Sequence, residues 1–181
     1  KLANLTGEQL SNVGSQDMSI KIWIDLANRI NELLAKDDVD GIVITHGTDT
    51  QEETAYFLNL TVKSDKPVVL TGSIRPSTAL SADGPLNMYN AVAVAASKDA
   101  KGYGVMVVMN DEIHAAHDVK KMISTPVQTF QSPQEGLIGT VNFGEILWFG
   151  KPHGLHTTQS EFSVKGLTSL PRVDIVYMAA D

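Results

Sequence analysis

The 181 residues are 43% hydrophobic and carry 14 basic against 21 acidic side chains, for a net charge of −7 and a pI near 5.1. This content suffices for one good-sized core, and the scattered basic residues leave no stripe for a phosphate backbone. The absence of cysteine excludes disulfides, thiolate catalysis and cysteine-bound metals. No apolar run approaches the length of a membrane span. We therefore expect a globular chain without nucleic acid or membrane partners.

Helical and extended patterns alternate along the chain. Apolar residues at helical spacing predict a first helix from about Met18; they are Ile20, Trp23, Ala27, Ile30 and Leu34. Two later stretches also predict helices, Glu52 to Val62 and Leu86 to Ser97. Continuous apolar runs are typical of buried strands; they are Gly41 to Thr45, Pro67 to Leu70, Gly104 to Met109 and Val173 to Met178. This order predicts an α/β fold with a doubly wound, mostly parallel sheet flanked by helices.

A different pattern covers Leu137 to Phe149. Two runs of alternating polarity flank Gly144 and Glu145. Alternation on both sides of a short turn predicts a β-hairpin.

The most informative segment is Ile44 to Thr50, which reads ITHGTDT. Its polar residues lie between a predicted strand and a predicted helix, where open α/β sheets build their sites. Thr50 and Glu53 fit a capping box, which starts the helix after Thr50 and leaves Thr48 and Asp49 in the turn. Helix capping explains one threonine, but not both threonines together with the aspartate.

Further blocks follow this segment in a fixed order. They are VITHGTDT, EETAYFLNLTVKSDKPVVLTG, RPST, SADGP, NMYNAV and VVMNDEIHAAHDVKK. Together they resemble the type II L-asparaginase family over essentially the whole chain. The resemblance implies the larger, N-terminal domain of that fold. It also implies an amidohydrolase that converts L-asparagine to L-aspartate and ammonia, with weaker glutaminase activity.

In that family, the threonine and aspartate of HGTDT act with a lysine that follows the VVMND block. By this resemblance the catalytic residues are Thr48, Asp49 and Lys121, and the family spacing D-V-x-K from Asp118 selects Lys121 over Lys120. The chemistry agrees, because attack on an amide needs a hydroxyl activated by a base, and a neutral lysine can be that base. Asp49 would orient the pair and balance its charge.

A second cluster is Gly14 to Asp17, between a predicted strand and the first helix. The resemblance implies that Ser15 and Gln16 bind the α-carboxylate and α-amino groups of the substrate, with Asp49 also facing the ammonium. Amide groups at a helix start attract a carboxylate, although helix capping alone also explains these residue types. Ser73 stands where the family commonly has an alanine whose backbone carbonyl contacts the leaving amide, so it completes the predicted binding residues.

The histidines raise a metal-binding interpretation; they are His46, His114, His117, His153 and His156. His114 and His117 could face one way on a helix, but the stretch before Lys121 predicts a loop, and no cysteine or fixed carboxylate completes a ligand set. The resembling family needs no metal. We therefore assign no metal ion and no cofactor.

The chain also departs from the family. The resemblance implies a first strand with a T-G-G-T-I motif, whose first threonine is usually assigned as the nucleophile, and a mobile loop with a tyrosine, and neither occurs here. We expect residues 1–170 to form most of the N-terminal domain, and residues 171–181 a linker and the first strand of a C-terminal domain. On its own this chain is expected to lack useful activity. Gln51 also departs, because an apolar residue usually follows HGTDT.

The resemblance further implies a homotetramer whose sites are completed by a neighbouring subunit. It implies a periplasmic or secreted location, with a cytoplasmic one open. Two other functions stay open. A glutaminase, or the amide-hydrolysing subunit of a tRNA-dependent amidotransferase, would use the same threonine and lysine chemistry. A non-catalytic amino-acid-binding module is favoured by the missing first motif.

Overall fold

The computed structural model describes residues 2–178. The helices are α1 (Ile20–Leu34), α2 (Gln51–Thr61) and α3 (Gly84–Ala96), with single 3-10 turns at Ser15–Asp17, Lys98–Ala100 and Thr157–Gln159. The strands are β1 (Ile42–Thr45), β2 (Val68–Thr71), β3 (Val105–Met109), β4 (Glu112–Ala115), β5 (Lys120–Lys121), β6 (Phe130–Gln131), β7 (Gly139–Asn142) and β8 (Glu145–Trp148). Among the described residues, the helices are too short and too polar to span a membrane.

A six-stranded sheet in the order β1-β2-β3-β4-β7-β8 forms the centre of the fold. Strands β1, β2 and β3 are parallel, and β3, β4, β7 and β8 pair antiparallel. Strands β5 and β6 form a separate antiparallel pair. The β7–β8 hairpin lies within the predicted range and turns at Phe143 and Gly144, both with positive φ. The parallel half of the sheet therefore occupies β1 to β3.

Helices cover both faces of the sheet. Alternate residues of β2 and β3 point into two separate apolar clusters, since Leu70 packs on the side of α1 and α2, while Val69 and Met106 pack on the side of α3. Helix α1 buries Ala27, Ile30 and Leu34 as its spacing predicts, and Ile24 with them, whereas Ile20 is 42% exposed. A fully buried isoleucine such as Ile30 stabilises the fold by about 1.5 to 3 kcal/mol. The predicted α/β, doubly wound class is confirmed.

Two features of the sheet differ from the sequence prediction. The segment with His114, predicted as a loop, forms β4, because Asn110 and Asp111 take positive φ and turn the chain back along β3. The run Val173 to Met178, predicted as a strand, pairs with no strand in residues 2–178, and Val176 and Tyr177 are 79% and 89% exposed. An extended segment becomes a strand only when a neighbour takes up its backbone hydrogen bonds. Of the residues 171–181 predicted as a linker and the first strand of a C-terminal domain, residues 179–181 lie outside the described part of the chain.

The start of α2 also differs from the prediction. The helix begins directly after Thr50 as expected, but the Thr50 hydroxyl does not cap it and instead donates to the Ser15 carbonyl at 2.7 Å. The next residue, Gln51, is fully buried. Its amide nitrogen and oxygen have no hydrogen-bond partner in the described part of the chain. A buried polar group without a partner costs about 1 to 3 kcal/mol, which explains why an apolar residue is typical here.

We predict that Gln51→Met stabilises the fold by about 1 to 3 kcal/mol, because an unbranched side chain of similar length removes the unpaired amide. The measurement is the free energy of unfolding from urea titration of the complete protein. Asn59→Leu is the matched control on the same helix, since Asn59 is also buried but its oxygen accepts the Val105 N–H at 3.0 Å. It should destabilise. A loss of stability in Gln51→Met would contradict the prediction.

Candidate active site

The predicted site residues gather at the carboxyl end of the parallel strands. Thr48 and Asp49 lie in the turn between β1 and α2, and Ser73 lies two residues after β2. The two turns touch at Gly72, where an added Cβ would come 2.5 Å from the His46 carbonyl oxygen. Only a residue without a side chain allows this approach. The polar ends of β1 and β2 thus meet at one edge of the sheet, as open α/β sheets arrange their binding sites.

Lys121 reaches this turn from 73 residues further along the chain. Its Nζ donates to Thr48 Oγ1 at 3.0 Å and to Asp49 Oδ1 at 2.6 Å. The lysine side chain is 19% exposed, whereas that of Asp49 is 57% exposed. The structure therefore brings the three predicted catalytic residues into direct contact, with the carboxylate open to solvent and the ammonium largely covered.

Backbone contacts hold Lys121 in place. Strand β5, which carries it, pairs with β6 through Lys121 and Phe130. The Glu52 carboxylate at the start of α2 accepts the Lys121 N–H. This anchoring role of Glu52 was not found from the sequence, because an acidic residue in the first turn of a helix is ordinarily explained by the helix dipole. The fold shows that the Glu52 side chain connects β5, which carries Lys121, to the first turn of α2.

The Ser15 turn packs directly against the Thr48 turn. Ser15 is 7% exposed, and its hydroxyl accepts the Asp49 N–H at 3.1 Å. Gly47 permits this contact, since an added Cβ would lie 2.6 Å from Ser15 Oγ. The turn is a 3-10 turn followed by α1, which starts at Ile20 with Ser19 as its cap rather than near Met18. The strand predicted before Gly14 does not form. Residues 2–14 contain no helix or strand.

Gln16 and Ser73 each follow a residue that contacts the Thr48 turn, Ser15 and Gly72 respectively. The Gln16 side chain is exposed and donates to Asp17 Oδ2 at 3.0 Å. Ser73 is also exposed. The Asp83 carboxylate positions the loop that follows Ser73 by accepting the N–H groups of Ile74 and Arg75, each at 2.9 Å. The loop position of Ser73 is thus set by a carboxylate at the start of α3, which the sequence pattern did not single out.

A hydrogen-bonded chain supports the turn from behind. Trp23 Nε1 donates to Thr54 Oγ1 at 2.7 Å, Thr54 Oγ1 lies 3.0 Å from His46 Nε2, and His46 Nδ1 lies 2.6 Å from the Gly47 carbonyl oxygen. A carbonyl only accepts, so Nδ1 carries the proton and Nε2 accepts from the threonine hydroxyl. Burial lowers the pKa of His46 below its ordinary value of 6.5. A neutral imidazole therefore satisfies every partner.

The histidines proposed and rejected as metal ligands lie apart. His114 on β4 contacts Ser132, whereas His117 contacts Glu135 at 2.9 Å. Within residues 2–178, no group of three metal-ligating side chains converges. The contacts around Thr48 involve hydroxyl, ammonium and carboxylate groups, which can perform proton transfer without a cofactor.

Comparison with known proteins places these features in a family. The family model described as asparaginase, N-terminal, matches residues 1–153. The chain is 57% identical to L-asparaginase 2 of Bacillus subtilis, over 97% of this chain and 47% of that protein. It is 54% identical to a glutaminase-asparaginase of Pseudomonas fluorescens biotype A, over 98% of this chain and 49% of that protein.

A solved structure gives the same result. The crystal structure of a probable cytoplasmic L-asparaginase from Campylobacter jejuni superposes with a TM-score of 0.97 at 52% identity, covering 99% of this chain and 57% of that one. The α/β sheet carries a cluster of threonine, lysine and aspartate at the carboxyl end of its parallel strands. The chain belongs to the asparaginase family, in its N-terminal part. It spans about half the length of the curated relatives it matches.

We predict a pH dependence of stability that arises from His46. Its pKa is depressed in the folded state, so between that pKa and 6.5 the unfolded chain binds a proton that the folded chain does not. Stability is therefore lost as the pH falls through 6.5. In His46→Asn, unfolding free energies measured at pH 7.5 and 5.5 should differ less than in the wild type. The same substitution at the exposed His153 is the control, and an unchanged difference in His46→Asn would contradict the assignment.

Proposed function

We propose that the complete protein hydrolyses the side-chain amide of L-asparagine to L-aspartate and ammonia. The observation that carries the proposal is the contact of Lys121 Nζ with both Thr48 Oγ1 and Asp49 Oδ1, at 3.0 and 2.6 Å. Membership of the asparaginase family supports it. The names of its relatives include both L-asparaginase and glutaminase-asparaginase, which fits an amide of a short amino acid as substrate.

The reaction adds water across the amide, so that a C–O bond forms, the C–N bond breaks and ammonia leaves. Lys121 in its neutral form takes the Thr48 proton. The Thr48 oxygen can then accept the proton of the attacking hydroxyl or water, and Lys121 returns a proton to the leaving nitrogen. Proton transfer by positioned groups of this kind accelerates reactions by about 10² to 10⁴. Asp49 balances the positive charge of the lysine when it is protonated.

The same turn provides recognition of the substrate. Asp49 is 57% exposed and can accept a hydrogen bond from an α-ammonium group while it contacts Lys121. Ser15 contacts the Asp49 backbone, and Ser15 and Gln16 are proposed to bind the α-carboxylate and α-amino groups. Because the Ser15 hydroxyl accepts the Asp49 N–H, recognition and proton transfer share one rigid unit. Ser73 is proposed to offer its backbone carbonyl to the leaving amide from the neighbouring loop.

The alternatives make different predictions. A non-catalytic binding module would bind asparagine without releasing ammonia, and a glutaminase would turn over glutamine faster than asparagine. A coupled ammonia assay on the complete protein with both amides distinguishes the three. The homotetramer and the periplasmic or secreted location stay predictions of the type II resemblance, and the solved Campylobacter jejuni relative is described as a probable cytoplasmic L-asparaginase.

We predict that Thr48→Val and Lys121→Met each reduce kcat for asparagine by about 10²- to 10⁴-fold, because each removes one partner of the proton transfer. Unfolding free energies should change little, since the Lys121 contacts are partly exposed. Lys120→Met is the matched control on the same strand, where the side chain is exposed. A severe loss in Lys120→Met with a mild one in Lys121→Met would show that the wrong lysine is assigned.

A further prediction concerns the choice between asparagine and glutamine. Gln16 offers the α-ammonium a neutral acceptor, so the substrate is held mainly through its carboxylate and Asp49. One extra methylene is worth about 1 to 3 kcal/mol of discrimination, or roughly tenfold or more in kcat/KM. We expect asparagine to be preferred by that factor, and Gln16→Glu to narrow it by anchoring a displaced ammonium.

The test compares kcat/KM for both amides in the wild type, in Gln16→Glu and in Gln9→Glu, which makes the same charge change at another exposed glutamine. Equal values in the wild type would refute the preference. A ratio in Gln16→Glu equal to that in Gln9→Glu would remove Gln16 as its cause.

A further inference from the structure

A polar cavity lies between β4 and the segment that contains β6. Its volume is about 160 Å³. It is separate from the Thr48 turn, and its walls come from two strands and the chain that follows β6. The lining residues include Glu112, His114, Gln128, Phe130, Gln131 and Ser132. Two of these residues, Glu112 and His114, carry side chains of the types that bind transition-metal ions.

His114 is the buried group of this cavity. It is 1% exposed, and its Nδ1 lies 2.9 Å from Ser132 Oγ. Its Nε2 is shielded from solvent and has no hydrogen-bond partner in residues 2–178. One nitrogen is therefore oriented by a hydroxyl while the other is left free, which is the arrangement of a histidine whose second nitrogen binds a metal.

Glu112 provides a carboxylate beside this nitrogen. Residues two apart on a strand share a face, and Glu112 Oε2 lies 3.5 Å from His114 Nε2. The other oxygen, Oε1, accepts from Gln128 Nε2 at 3.0 Å, which fixes the carboxylate.

The separation of 3.5 Å can be compared with the distances expected for a hydrogen bond and for a shared metal ion. A direct N–H···O hydrogen bond prefers about 2.7 to 3.2 Å, so the contact is long for one. Two ligand atoms at about 2.0 to 2.1 Å from a tetrahedral zinc ion lie roughly 3.4 Å from each other. We propose that Glu112 and His114 bind a divalent transition-metal ion of the zinc type, with the remaining positions filled by water from the cavity.

The site is distinct from the proposed active site and does not depend on it. Among the described residues no third histidine, aspartate, glutamate or cysteine joins the pair, so the ion is exchangeable rather than structural. Phe130 and Gln131 line the cavity and belong to β6, which pairs with the strand that carries Lys121. A bound ion therefore lies one strand away from the catalytic lysine.

The test is calorimetric titration of zinc chloride into the complete protein at pH 7.5, after treatment with EDTA and dialysis. We expect one ion per chain at this site. Glu112→Gln and His114→Asn should each weaken binding by at least about tenfold, since even an outer partner of a ligand has an effect of that size. His153→Gln, at an exposed histidine, is the control for surface binding and should bind as the wild type does.

Circular dichroism establishes that each variant is folded, and Glu112→Gln serves if His114→Asn does not fold, because its side chain keeps its size and partial exposure. The absence of zinc binding to the wild type would overturn the proposal and leave a histidine–carboxylate ion pair. Binding that survives both substitutions, or that is lost in His153→Gln, would equally overturn it. Because the readout is binding, failure of asparagine hydrolysis would not affect the result.

Discussion

The whole site depends on one contact between distant parts of the chain, the Lys121 ammonium held between Thr48 and Asp49. The segments that it joins are separated by 73 residues. The position of each segment is set by contacts of its own backbone. The Thr48 turn ends a parallel strand, and Glu52 just inside the next helix binds the backbone of Lys121. A charge-assisted contact of this kind is strong only when both partners are already in place. Most of the surrounding structure accomplishes that placement.

Close backbone approach is the second constraint. Gly47 lets the Ser15 hydroxyl reach the Asp49 N–H, and Gly72 lets the turn after β2 contact the His46 carbonyl. An added Cβ would come within 2.6 Å of a neighbouring atom at either position. The turns that contain Ser15, Thr48 and Ser73 therefore touch through backbone and short side chains.

The local sequence pattern predicted those helices and strands whose formation depends mainly on nearby residues. The apolar spacing in α1, the continuous runs in β2 and β3 and the hairpin near Gly144 each follow from periodicity or turn chemistry. Ordered motifs, through the family resemblance, predicted that Thr48, Asp49 and Lys121 act together, and the three side chains are in contact in the fold. What the sequence could not show were contacts between distant positions, such as Thr50 donating to Ser15 instead of capping its own helix. The run at Val173 to Met178 has no strand partner among residues 2–178, so its assignment to the first strand of a C-terminal domain stays a prediction.

Two buried side chains, Gln51 and His114, have polar atoms without a hydrogen-bond partner within the described residues. The surroundings of the two side chains differ, and so does our interpretation of each. Gln51 is enclosed near Gly72 and the Thr48 turn, with no exposed surface, so its amide is a cost to folding. His114 lines a cavity large enough for water and has a carboxylate 3.5 Å from its free nitrogen. The sequence argument against a metal assumed that no carboxylate accompanies the histidine. Once β4 forms, the period of two along a strand supplies Glu112, so the same unpaired state indicates a ligand in one place and a packing defect in the other.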